Sequence, residues 1–95
     1  MISIMEIEFD IAKSERNQRE RGFGFDFAAL IFLGLTIEWD DVRKNYGERQ
    51  IIALGQFEGE TYVLVYTWRG DRRRIISARR AKAGERNAYR KTFPG

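Results

Sequence analysis

Four of the five arginines in the run RRRIISARR, Arg73, Arg74, Arg79 and Arg80, have the chemistry to grip an anion. A guanidinium is planar, stays protonated and bonds phosphate oxygens two at a time. The run just ahead of it, TYVLVYTWR, supplies Tyr62, Tyr66 and Trp68, flat rings on which an unstacked base can lie. Guanidinium and ring together suit RNA. Tyrosine and arginine are also ordinary neighbours on a solvent-facing sheet, and the residue types by themselves leave both readings open.

These side chains need a ribbon to hold them. Two runs rich in Val, Ile, Thr, Tyr and Trp flank Gly70-Asp71, a strong signal for an antiparallel hairpin with a two-residue turn. Arg69 then lies opposite Arg72, and the register counts back along both strands. One face collects Val63, Val65, Ile76 and Ala78, with Thr67 over Arg74 and Thr61 over Arg80, and reads as core. The other sets Tyr62 beside Arg79, Leu64 beside Ser77, Tyr66 beside Ile75 and Trp68 beside Arg73, an aromatic and arginine face.

Ninety-five residues, 43% of them hydrophobic, make a single domain over 1–95 with one small core. The net charge is only +3, yet from Thr61 onward there are ten Arg or Lys against two acids. That asymmetry favours a polyanionic or acidic partner for the last third of the chain. With no Cys and no His, disulfides and thiolate sites are excluded, and the commonest zinc ligand and the commonest general base are missing. No cofactor or metal is called for. No apolar run is long enough to span a membrane and no secretory leader is evident, so a cytoplasmic protein without membrane contact is expected.

Residues 1–9 alternate as a half-buried strand, and Asp10 follows as the N-cap of a polar helix over 11–21 that Gly22 closes. The apolar stretch from Phe23 to Leu33 reads as a short helix begun by Asp26 and ended by Gly34, its phenylalanines packed on the Val63 and Ile76 face. Residues 35–40 alternate as a strand, with Leu35, Ile37 and Trp39 on one side, and 41–47 form a polar connection. In the next strand Gly55 sits opposite Tyr62 and leaves room for a base or a backbone to approach. Residues 81–91 have helical composition. The fold class is α+β: an antiparallel sheet of four to five strands, N-terminal helices on one face, and a short C-terminal helix.

The order of several short pieces resembles the BrnT toxins of type II toxin–antitoxin systems across nearly the whole chain. These are Phe9-Asp10-Ile11-Ala12-Lys13 with Asn17, the Gly22-x-x-Phe25 step, Gly47-Glu48-Arg49-Gln50, IALG, VYTWRGD, RIISARRA and ERNAY. The run from Arg74 to Ala81 is the most specific of them. The resemblance implies a RelE-like fold and a ribonuclease that inhibits translation. It also implies neutralisation by a BrnA-type antitoxin, whose ribbon-helix-helix part binds operator DNA, so that the toxin meets that DNA only indirectly. One departure stands out: where family members usually read Lys-His-Gly, this chain reads Glu20-Arg21-Gly22, and a guanidinium cannot shuttle protons.

Cleavage of RNA by internal attack needs a base for the 2′-OH, positive charge on the phosphorane, and a proton for the 5′-oxygen; it does not require a metal. Arg79, with Arg74 or Arg80, is the expected phosphate clamp. Glu48 is the candidate base, with an ion pair to Arg49 or to a strand-edge arginine as the plainer alternative. Tyr62, Tyr66, Trp68 and Arg73 form the expected RNA surface, and Lys13, Lys44 and Arg49 are placed to hold flanking phosphates. The competing functions are an RNA- or ribosome-binding module without catalysis, an inactivated toxin relative, and a protein-interaction domain.

Overall fold

In the computed structural model, which describes residues 6–95, five strands form one mixed sheet in the order β1-β5-β4-β3-β2. The elements are β1 Ile7–Phe9, α1 Ile11–Arg21, α2 Phe25–Ala28 continuing as a 3₁₀ turn Ala29–Leu33, β2 Thr36–Asp40, β3 Ile51–Phe57, β4 Glu60–Arg69, β5 Arg72–Arg80 and α3 Ala83–Thr92. The sheet is not wholly antiparallel as expected, because β1 runs parallel to β5 at the edge. The part of the expected first strand over 1–5 lies outside the described residues.

Local chemistry sets the ends of α1. Asp10 Oδ1 accepts from the Lys13 amide at 3.1 Å, and Gly22 closes the helix in the left-handed region at φ 88°. Buried Ser14 and Asn17 then fasten the next segment to the helix: the Phe25 amide donates to Ser14 Oγ at 2.8 Å and Asn17 Nδ2 donates to the Phe23 carbonyl at 2.9 Å. Gly24 rather than Asp26 caps α2. Asp26 instead accepts from the Phe27 amide.

The strand β4 is buried from Thr61 to Thr67, so both faces of the sheet's centre are covered. The larger core joins Phe23, Phe25, Ala28, Ala29 and Ile31 to Ile51, Ala53, Tyr62, Leu64, Tyr66, Ile75 and Ala78. This corrects the face assignment, since the phenylalanine segment packs on the tyrosine face and not on the Val63 face. A smaller cluster of Leu54, Val63, Ala81 and Tyr89 lies on the other side under α3, and the Tyr89 hydroxyl donates to the Leu35 carbonyl at 2.9 Å. Gly55 does face Tyr62, but the room beside it is filled. A Cβ built there would lie 2.7 Å from Ile31 Cβ, so it is the 3₁₀ turn that makes the close approach.

Candidate functional site

From Arg69 opposite Arg72 to Tyr66 opposite Ile75 the hairpin keeps the simple register. Beyond that the register shifts: Val65 pairs with Ser77, Leu64 with Ala78, Val63 with Arg79 and Tyr62 with Arg80. Ile76 is the extra residue of a β-bulge, and a slip of one residue reverses which face every later side chain takes. Ala78 therefore enters the large core, and Ser77 and Arg79 point to the opposite face beside Val65 and Val63. That face is open where α3 does not cover it.

A cleft of about 420 Å³ occupies the opening. Its lining includes Ile52, Val63 and Val65 from the sheet, Trp39 from β2, Arg43 from the connection after β2, Ser77 and Arg79 from β5, and Glu85 from α3. Arg21 completes it from the end of α1. Because β1 pairs only with Arg73 to Ile75, the edge of β5 beyond it is available, and Arg21 Nη1 donates to the Ala78 carbonyl at 2.6 Å. Arg80 Nη1 donates in turn to the Arg21 carbonyl at 2.8 Å. A shallower depression shares Arg21 and Ser77 with the cleft and adds Lys13 and Arg16 from α1. Cationic groups thus run from α1 across the β5 edge to the open face.

Two of the cleft arginines are held by carboxylates. Arg79 Nη1 and Nη2 each donate to a Glu85 oxygen at 2.8 Å, and Glu85 Oε1 also accepts from the Lys82 amide at 2.7 Å. The Arg79 bonds are the main cause that lowers the Glu85 carboxyl to about 2, against an opposing push from desolvation. The same pairing raises Arg79. Arg43 is held by Asp41 through Nε at 2.8 Å and Nη2 at 2.7 Å, and the Tyr46 hydroxyl donates to the same carboxylate at 3.0 Å. The Asp41 side chain is 1% exposed, and the Arg43 guanidinium holds its carboxyl well below the usual range. Desolvation, then the bond to Asp41, raises the Tyr46 phenol.

Of the three arginines expected to clamp phosphate, the cleft contains Arg79 alone. Arg74 pairs with Glu8 at 3.1 Å five residues back along β5, and Arg80 lies on the opposite face over the Phe23 ring, 3.7 Å from Glu60. Glu48 is beside Arg69 at 3.4 Å, six strand positions from Arg79's partner Val63 or ~20 Å at the rise of a strand, so it does not face the Arg79 guanidinium. The expected stacking rings Tyr62 and Tyr66 are 3% and 2% exposed and belong to the core. Their hydroxyls misled the reading of that face as solvent-facing. Trp68 is exposed near the hairpin turn, with the Arg73 guanidinium 4.9 Å from its ring and 4.2 Å from that of Phe32. Lys13 lines the shallow depression, Lys44 lies over the Tyr46 ring, and Arg49 pairs with Asp40 at 2.7 Å. Sequence reasoning missed Trp39, Arg43 and Glu85 as cleft residues. The signal for Trp39 was its place in an alternating strand whose apolar side turns out to be half open.

The cleft can seat an anionic, partly flat ligand: guanidinium groups at its walls, an indole at one side and an apolar floor. Comparison with known proteins is consistent with this. The family described as "Ribonuclease toxin, BrnT, of type II toxin-antitoxin system" matches residues 9–85. Among solved structures, the 1.1 Å crystal structure of the Brucella abortus ribonuclease toxin BrnT is similar, with a TM-score of 0.64 and 23% identity over 83% of this chain and 99% of that one. At that identity the likeness speaks for the fold. No curated protein matches the chain.

Proposed function

Because this chain belongs to the BrnT family of ribonuclease toxins of type II toxin–antitoxin systems, we propose that it is a metal-independent endoribonuclease whose substrate site is the open-face cleft. The observation that carries the reading is the gathering of Arg79, Arg43 and Arg21 around one cleft on an otherwise covered sheet. The nucleophile is the substrate's own 2′-oxygen, which gives its proton to solvent and attacks the adjacent phosphorus as the P–O5′ bond breaks; the 5′-oxygen takes a proton from solvent, leaving a 2′,3′-cyclic phosphate and a 5′-hydroxyl. No metal-activated water is needed for that step. Arg79 and Arg43 stabilise the charge that builds on the phosphorane oxygens, the service on which such a site depends most.

Proton transfer is the weaker service here. Glu85 is the carboxylate that lines the cleft, and at about 2 it is a poor base at neutral pH. The reaction is accordingly slow, and its rate lacks the rise near pH 6.5 that a histidine base would give. The fold is read as RelE-like and the protein as cytoplasmic. Its partner is a BrnA-type antitoxin that covers the cleft and carries a ribbon-helix-helix part for operator DNA.

A second reading has its own support. Arg21 stands where the family usually carries histidine, and Glu85 occupies Arg79. Both fit a module that binds RNA or the ribosome without cutting it, or an inactivated toxin. The test uses labelled RNA with purified wild type and Arg79→Ala in the presence of a chelator, with circular dichroism to confirm folding. Cleavage by the wild type that falls at least a hundredfold in the variant supports the ribonuclease. Binding without cleavage establishes the second reading, and neither binding nor cleavage by folded protein refutes both.

A further inference from the structure

Trp39 has no role in the large core and sits at the open end of the cleft. Its side of β2 faces Ile52, then Val65, then Ser77 across the strands, in one row that leads to the Arg79 end of β5. It is 43% exposed, and among the described residues it is the aromatic side chain that lines this cleft. Among the described residues β2 is the edge strand of the sheet. Its neighbours Glu38 and Asp40 alternate to the other face, and the indole shares the cleft with the apolar floor of Ile52, Val63 and Val65.

From these placements we propose that Trp39 is the stacking platform for an unpaired base within one nucleotide of the phosphate held by Arg79, which makes single-stranded RNA the substrate class. This rests on the cleft being the RNA site. The three strand spacings from Trp39 to Ser77 come to ~14 Å, and Arg79 lies two residues further along β5; the indole and the guanidinium both line the cleft between these points, which a base and its flanking phosphate can bridge. An A-form duplex keeps its base faces stacked on one another and offers none to Trp39, whereas a single strand does. The floor of Ile52, Val63 and Val65 accepts the edge of any base without hydrogen bonds, so the platform is tolerant of sequence.

The probes are a single-stranded oligonucleotide carrying 2′-fluoro groups, which prevents cleavage, its abasic counterpart with the same number of phosphates, and a duplex of the same length. Affinities are measured for wild type, Trp39→Ala and Trp39→Phe. Wild type is expected to prefer the base-bearing strand over the abasic one by roughly five- to hundredfold, the worth of one base–aromatic stack. Trp39→Ala brings that ratio to near unity while the salt dependence of binding stays the same, and Trp39→Phe restores most of it. In a Trp68→Phe background the indole emission of Trp39 is quenched by the single strand and not by the duplex. A preference that survives in Trp39→Ala overturns the inference. If binding loses part of its salt dependence in Arg79→Ala at the same time, the cleft remains the RNA site and only the platform falls. If no probe binds the wild type, both are refuted.

Discussion

Replacing Glu85 by glutamine separates the two things this carboxylate does. Gln keeps an oxygen that can accept from the Lys82 amide, so the start of α3 stays capped, but the charge that holds Arg79 is gone. The Glu85 carboxyl moves from 4.5 to about 2 on folding, which at ~1.4 kcal/mol per unit is a raw coupling of roughly 3 kcal/mol. The pair is part open to solvent, with side chains 37% and 28% exposed, and screening brings the net worth to about 1 kcal/mol. For a domain of this size that is a drop of roughly 4–8 °C in thermal midpoint. A carboxyl lowered in the folded state stabilises fully above its unfolded value, near 4.5, and loses that contribution as the pH falls towards 2. Wild type and variant therefore differ at pH 7 and converge between pH 4.5 and 2. RNA binding moves the opposite way: without the carboxylate that competes for Arg79 the phosphate meets one more net positive charge, so affinity rises and the slope of log K against log salt steepens by up to ~0.7. Denaturation at several pH values and a salt titration of binding read both effects. A stability gap that persists unchanged at low pH, or a variant that binds RNA no tighter with the same salt slope, would show that Glu85 does not compete with phosphate for Arg79.

Gly55→Ala places a methyl 2.7 Å from Ile31 Cβ and costs about 1–3 kcal/mol, read as a fall in the denaturation midpoint. Tyr66→Phe removes the bond to Glu38, which keeps its bond from Thr36; about 1 kcal/mol of stability is lost while the salt slope of RNA binding is unchanged, as befits a core ring. Asp41→Asn breaks the ionic hold on Arg43, so the thermal midpoint falls at pH 7, as read by thermal denaturation. Because the Asp41 carboxyl is held below its ordinary value, the stability gap closes as the pH drops through and below the usual aspartate range.

The ends of α1 were readable because each depends on a few adjacent residues: Asp10 and Gly22 bound it as their chemistry dictates. The β4–β5 hairpin was readable from its Gly70-Asp71 turn. The sheet faces were not, and β4 explains why. Every residue from Thr61 to Thr67 is buried, so apolar and polar positions do not alternate and nothing in the strand itself tells one face from the other. The tyrosines tipped the choice wrongly, since a phenol looks like a surface group until a helix is packed over it. Arg79 lines the cleft, but the register that singled it out would have put it beneath the phenylalanines. Arg74 and Arg80 lie away from the cleft, beside Glu8, Glu60 and a backbone carbonyl that tertiary contacts bring to them.

The bulge at Ile76 is what makes a site from this segment. On an unbroken strand Arg73, Ile75, Ser77 and Arg79 would share a face, and that face is the large core for Ile75. Arg73 is tolerated there because it lies at the rim against the rings of Phe32 and Trp68. Without the extra residue Arg79 would take the place opposite Tyr62 that Arg80 now holds over the Phe23 ring, on the face away from the cleft. The extra residue lets Ile75 and Ala78 both enter the core and turns Ser77 and Arg79 outwards. The adjacent pair Ile75-Ile76, two apolar residues where alternation allows one, is the trace of this in the sequence. Fold and site thus make the same demand on one residue: inserting Ile76 satisfies the core, and by satisfying it aims Arg79 at the cleft.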